Sequence, residues 1–164
     1  MAARDVVLAV VLLFVFSLGF LIIHFVMSTM TAELIANPQV NASQDAVNAF
    51  NDIEKSTNRL DYVILCVFIG LTLGIIITGW FIGGIPLFMF IYFIVMVFGV
   101  IISTVLSNIW ETVSTTTFAT AVASFPIANN IMLRLPIYAA VIGFIGVVVM
   151  FAKPYFYGGQ GGNY

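Results

Sequence analysis

Charge is what this chain has least of. Its 164 residues include 5 Lys or Arg and 7 Asp or Glu, so 7% are charged, against about 25% in soluble domains. The few charges are unevenly placed: none lies between Asp5 and Glu33, between Asp61 and Glu111, or between Arg134 and Lys153. The middle gap has room for two bilayer-spanning helices of about 20 residues and a tight turn, and each outer gap for one. A net charge of −2 gives no basic patch for nucleic acid and no acidic tail. The single cysteine, Cys66, excludes an intramolecular disulfide framework. HExxH, CxxC, a GxxxxGK phosphate loop and any Ser/His/Asp set with workable proximity are all missing, and no apolar run has a carboxylate, Lys or Arg at its centre. Metal-assisted, redox, phosphate-transfer and nucleophilic chemistry therefore lack their residues, as does ion-coupled transport. Neither enzymatic activity nor a cofactor or metal is expected.

What is present is 62% hydrophobic sequence in four runs. The expected fold is all-α: one polytopic membrane domain with spans at about 6–28, 60–81, 86–108 and 135–152, and both termini on one side. Val6–Met27 is too long for the apolar core of a cleaved signal peptide, about 7–15 residues, and Arg4 is neutralised by Asp5, so it is read as a first span. Arg4, Lys153 and the α-amine on one side balance Lys55, Arg59 and Arg134 on the other, so positive charge sets no orientation.

Residues 29–59 are expected to form a helical hairpin projecting into water. Asn37-Pro38 ends its first arm, because the proline ring disfavours helical geometry at the residue before it. Ser43 or Asn41 suits the next N-cap, and Asp45 suits the helix dipole. No Gly or Pro lies between Pro38 and Gly70, and Ala46, Phe50, Ile53, Thr57, Leu60, Ile64, Val67, Leu71 and Gly74 recur at steps of four and three. One helix from Ser43 to Trp80 is predicted, about 57 Å long against a hydrocarbon core of about 30 Å. Phe50 and Ile53 should pack on Met30, Leu34 and Ile35, leaving Asn48, Asn51, Asp52, Lys55 and Arg59 outward as a partner-docking face. A hairpin this thin buries too little to stand alone, which is the reason to expect a partner.

Further along, Gly79, Gly83 and Gly84 suit a tight reversal, and Pro86 suits the first position of the next helix. Trp80 and Trp110 are candidate interfacial anchors. Glu111 and Arg134 flank an interfacial loop, 109–134, either as an ion pair or lining a vestibule. Within it, Ser114–Thr117 reads as loop, Phe118–Phe125 as a short interfacial helix and Pro126 as a helix start. Asn129 and Asn130 beside Arg134 suit lipid headgroups or a partner. Gly70 with Gly74, and Ala139 with Gly143, have the spacing of close helix packing. His24, the only histidine, has no ligand companions and is read as hydrogen-bonded within the bundle or near the interface. Asn41-Ala42-Ser43 matches a glycosylation acceptor, and residues 154–164 read as a flexible glycine-rich tail.

Over about residues 107–154, SNIWE followed by FPIANNIMLRLPIYAAVIGFIGVVVMFAKP resembles small multispan membrane proteins of lipid-containing, tailless icosahedral phages. The SN-x-x-E, the FP-x-x-N and the LP leading into a glycine-containing span carry the resemblance, and residues 41–61 stand outside it. It implies a structural protein in a viral membrane beneath a capsid, with no catalytic or binding residues to transfer. Together these readings point to a non-enzymatic structural or assembly subunit of a membrane-embedded complex. Its partners are the lipid bilayer and other subunits, of a capsid or of a membrane complex, in a homo- or hetero-oligomer without nucleic acid. Its place is a virion internal membrane or a host cell membrane. The alternatives are an oligomeric pore former (a holin or small channel), opposed by the lack of a polar stripe along any span, and an accessory subunit of a membrane enzyme complex.

Overall fold

The chain is described here by a computed structural model covering residues 2–82, 86–116 and 118–157, and all regular structure within them is helical. Eight helices follow in order: α1 (Ala2–Ala36), α2 (Pro38–Asn41), α3 (Gln44–Asn58), α4 (Leu60–Ile82), α5 (Pro86–Thr115), α6 (Ala119–Ala123), α7 (Pro126–Leu133) and α8 (Leu135–Tyr157). Four stretches are long and apolar enough to cross a membrane: Val6–Ala36, Gln44–Phe81, Phe90–Thr115 and Leu135–Ala152.

Local chemistry accounts for the breaks. Asn37 ends α1 and starts α2, its side chain accepting from the Gln39 amide at 3.0 Å with Pro38 in the first turn. Ser43 caps α3 through the Ala46 amide at 3.4 Å, and Asp45 sits in the first turn. The helix predicted to run unbroken from Ser43 to Trp80 is divided at Arg59. There the backbone keeps right-handed angles (φ −74°, ψ −11°), but its amide reaches back to Ser56 and Thr57. The turn tightens towards 3₁₀ bonding without glycine or proline to redirect the chain.

The principal packing is α5 on α8 and α1, and α4 on α8 and α1. The larger apolar core gathers Leu21, Ile64, Trp110, Phe125, Ala128 and Met132; a smaller one, towards the termini, holds Val6, Ala9, Ile75, Tyr92 and Met150. The buried line along α1 runs Val6, Val10, Leu13, Ser17, Leu21, His24, Thr31. Three of these, Ser17, His24 and Thr31, are polar and buried against other helices of the chain. Hydropathy averages over all faces of a helix, and here the polar groups share the face that other helices cover.

Glycines set the close approach of α5 and α8. A Cβ on Gly143 would run into the Met96 side chain, and one on Gly146 into the Tyr92 hydroxyl. Ala139 is buried and borders an apolar crevice of about 30 Å³ between α1, α4 and α8. Gly70 and Gly74 lie elsewhere: both are exposed, and a Cβ on either would meet nothing within 4 Å. Their spacing therefore serves no contact between helices of this chain.

Within the interfacial segment 109–134, α6 falls in the expected short helix and α7 starts at Pro126 as expected, but the end of α5 occupies part of the stretch read as loop. α5 runs past Ser107 to Thr115, and α6 and α7 then fold back across the hairpin end of the bundle, against α1, α4 and α5. α8 continues to Tyr157, through the start of the expected tail. The reversal at Gly83 and Gly84, the loop residue Thr117, and positions 158–164 lie outside the described residues.

Candidate functional site

Two features meet at the hairpin end: a buried polar layer, and the open face of α3 beyond it. The polar layer begins with a helix that cannot cap itself. α7 starts at Pro126, and the residue before it, Phe125, has no side-chain acceptor, so the first amides of the helix need partners elsewhere. Asp61, in the first turn of α4 and 3% exposed, supplies both. Ile127 N–H donates to Oδ2 at 2.9 Å and Ala128 N–H to Oδ1 at 2.7 Å. A carboxylate on a helix N-terminus gains from the dipole as well as from charge-assisted hydrogen bonds.

The rest of α7 is held by α5. Trp110 Nε1–H donates to Asn129 Oδ1 at 3.0 Å, and the Ser107 hydroxyl donates to the Leu133 carbonyl at 3.0 Å. On the other side, the His24 ring meets Phe125 edge-on, with centroids 5.1 Å apart. His24 Nδ1 lies 3.1 Å from the Thr57 hydroxyl, which donates its own proton to the Glu54 carbonyl at 2.9 Å. With that proton committed, Thr57 accepts from Nδ1–H, which fixes the imidazole tautomer. Phe25 and Phe118 add an edge-to-face pair at 5.0 Å between α1 and the approach to α6. The foot of the hairpin is thus joined to α7 through side chains of α1, α3 and α4.

Several expected site residues take other places. Trp110, read as an interfacial anchor, is fully buried in the larger core, and Asn129 is its partner. Trp80 is half-buried. Glu111, Asn130 and Arg134 are exposed, and the Glu111–Arg134 pair does not form; among the described residues the ion pair present is Lys55–Asp52, at 3.4 Å. His24 has its hydrogen bond in Thr57. In the sequence Asp61 marks only the edge of an uncharged gap, and its role as the cap of α7 was missed. The available signal was Phe125-Pro126, a helix start with no capping residue of its own.

Along α3, Asn48, Asp52, Lys55 and Arg59 are exposed and Asn51 is half-buried. Ala46, Val47, Phe50, Glu54 and Thr57 are half-buried as well, and α3 packs on α1. Of the expected apolar contact, Phe50 and Ile35 are half-buried, whereas Met30, Leu34 and Ile53 remain exposed. Of the anticipated 46/50/53/57 line, Ala46, Phe50 and Thr57 are half-buried and Thr57 meets His24, whereas Ile53 is turned out and Val47 and Glu54 are covered instead. Ala49, Asp52, Ile53, Ser56, Thr57 and Leu60 lie along the open side of α3. Asn41, of the glycosylation pattern, is exposed at the hairpin turn. Among the described residues no three His, Cys, Asp or Glu side chains converge as a metal site. Comparison with known proteins gives no match to a family model, to a curated protein or to a solved structure.

Proposed function

We propose that the chain is a non-enzymatic structural subunit of a membrane assembly. Its four long helices cross the bilayer, and the hairpin 29–59 stands clear of it to dock a neighbouring subunit. At 1.5 Å per residue, a core of about 30 Å counted from Val6 ends near residue 26. On that placement the polar layer of His24, Thr57 and Asp61 sits at one membrane boundary, where water and headgroups can meet polar atoms that the hydrocarbon could not. The observation that carries the reading is α3 itself: 15 residues, capped by a serine, with no buried residue. A helix that adds so little to the core of its own chain has its use on its outer face. A lipid-containing virion, with this chain linking bilayer and capsid, is the setting that the sequence resemblance favours over a host cell membrane.

The pore reading gains nothing from the polar line on α1. Ser17, His24 and Thr31 are all buried within the chain, so they offer no wet face to a lumen between copies.

Replacing residues 31–58 with a short Gly/Ser linker tests the proposal. The variant is expected to remain in the carbonate-resistant membrane fraction and to be lost from purified assemblies. Incorporation at the level of the intact chain overturns the docking role.

A further inference from the structure

Resting on the reading that four helices cross the bilayer, we infer that the lipid-contacting belt of the bundle is oblique. Acyl chains cover α1 nearer the hairpin than they cover α5 and α8, so the bundle leans in the membrane towards its α1 side. The carrying observation is a stagger between helices. A Cβ on Gly99 would stand 3.5 Å from Val6 and 3.8 Å from Val7, so the apolar run of α1 begins beside the middle of α5 and not beside its start at Pro86. Phe25 meets Phe118, which repeats that offset at the other end. The crevice between α1, α4 and α8 places the remaining helices: Val6 and Leu13 border it together with Phe68 and Ile75 of α4 and Leu135 and Ile142 of α8. Past the start of the α1 run, α4, α5 and α8 continue together, with Gly79 and Tyr92 both against Gly146.

An upright bundle cannot place all four apolar runs in one slab. With α5 and α8 centred in a core of about 30 Å, the turn of α1 that carries Arg4 and Asp5 would stand roughly 16 Å inside it. Charged residues are least tolerated there, and the exposed Ile23 and Met27 would be lifted into water. With α1 centred instead, the exposed Phe93 and Phe151 would hang in water and Glu111 would enter the core. Runs whose centres differ by about 12 residues, roughly 18 Å, share a slab only when it cuts the bundle obliquely. α1 packs mainly on α5 and α4, and α8 packs on the same two, so α1 and α8 stand at opposite corners and the slant has the diagonal in which to develop. The apolar stretch of α1 is 31 residues long, and a span longer than the core accommodates by tilting. α1 also has the surface such a lean requires. Phe16, Ile23, Met27, Met30 and Leu34 are exposed and share one face by their spacing; leaning to that side brings the last two down towards the headgroups.

The test uses the full chain with Cys66→Ala, in phosphatidylcholine vesicles, and a nitroxide on Phe16→Cys, Phe144→Cys or Asn130→Cys. By the stagger of α1 on α5, Phe16 has the height of Trp110, whose partner is Asn129, so the exposed Asn130 shares that height. Phe144, next to the contact of Gly143 with Met96, lies about 20 Å further towards the termini. Collision with oxygen relative to a water-soluble nickel complex reads depth. Phe16 and Phe144 are expected to read hydrocarbon alike, with a ratio about tenfold above that of Asn130. Polarised infrared dichroism on aligned bilayers is expected to give a mean helix tilt above the roughly 20° usual for spanning helices. Phe16 reading water with Asn130 while Phe144 reads deep overturns the inference, as do Phe16 and Asn130 reading deep while Phe144 reads water, or a mean tilt of about 20° or less. In those cases the helices still cross the bilayer and only the slant is wrong. If all three positions read water, the four-span reading falls with it.

Discussion

Asp61 occupies two buried backbone amides at once, so its removal leaves both without an acceptor. Asp61→Ala is expected to destabilise the fold by about 3 kcal/mol, at 1–3 kcal/mol for each bond of this kind less what relaxation recovers. Asp61→Asn should cost roughly half of that, since the amide oxygen still accepts one bond. Denaturant unfolding in detergent gives the magnitudes, and proteolysis within 118–134 locates the opening; unchanged unfolding of both variants would remove Asp61 as the clamp on α7. The charge of Asp61 was visible in the sequence as the edge of a long uncharged gap, but what it binds was not. The amides it holds lie 66 and 67 positions away, and nothing in the spacing says which turns meet. Trp110 misled for a related reason. An indole near a span end suits an interface, and only the partner Asn129, 19 residues on, marks it as interior.

Helix by helix, the long elements follow from the gaps between charges and from Asn37-Pro38, Ser43 and Pro126, all of which act where the sequence places them. Their rotation was less legible. Four-residue spacing says that Gly70 and Gly74 share a face, and likewise Ala139 and Gly143, without saying which face is covered. Only packing tells that Gly143 lies against Met96 while Gly70 and Gly74 look outward. Gly146→Leu is therefore expected to destabilise by about 2 kcal/mol, because Tyr92 is buried and has no room to yield. Gly70→Ala should fall within about 0.5 kcal/mol of neutral, or gain slightly from helix propensity. The same unfolding measurement separates them. An equal loss at Gly70 would mean that the outer face of α4 is packed. α3 shows the same limit at finer grain: three positions of its anticipated line are covered, and the fourth, Ile53, is turned out.

At the scale of the molecule, α6 and α7 pack against α1, α4 and α5 at the end of the long helices that α3 joins. In a background lacking Cys66, single cysteines at Asn48, Glu111 and Asn130 are expected to react with an impermeant maleimide from the same side of sealed vesicles. Reaction of Asn48 and Glu111 from opposite sides would dismantle the four-span arrangement. The number of helices long and apolar enough to cross a membrane was readable from composition. The layer of side chains under the hairpin was not, because it draws on five helices at once.

The position of Asp61 has a mechanical consequence. A pull on the tip travels down α3, through the single tightened turn at Arg59, and meets a carboxylate clamped to α7 within the first turn of α4. Load is then shared with the element that leads into α8, before any one helix is drawn along its axis. On the proposed docking role, the hairpin would be a lever whose fulcrum is protein.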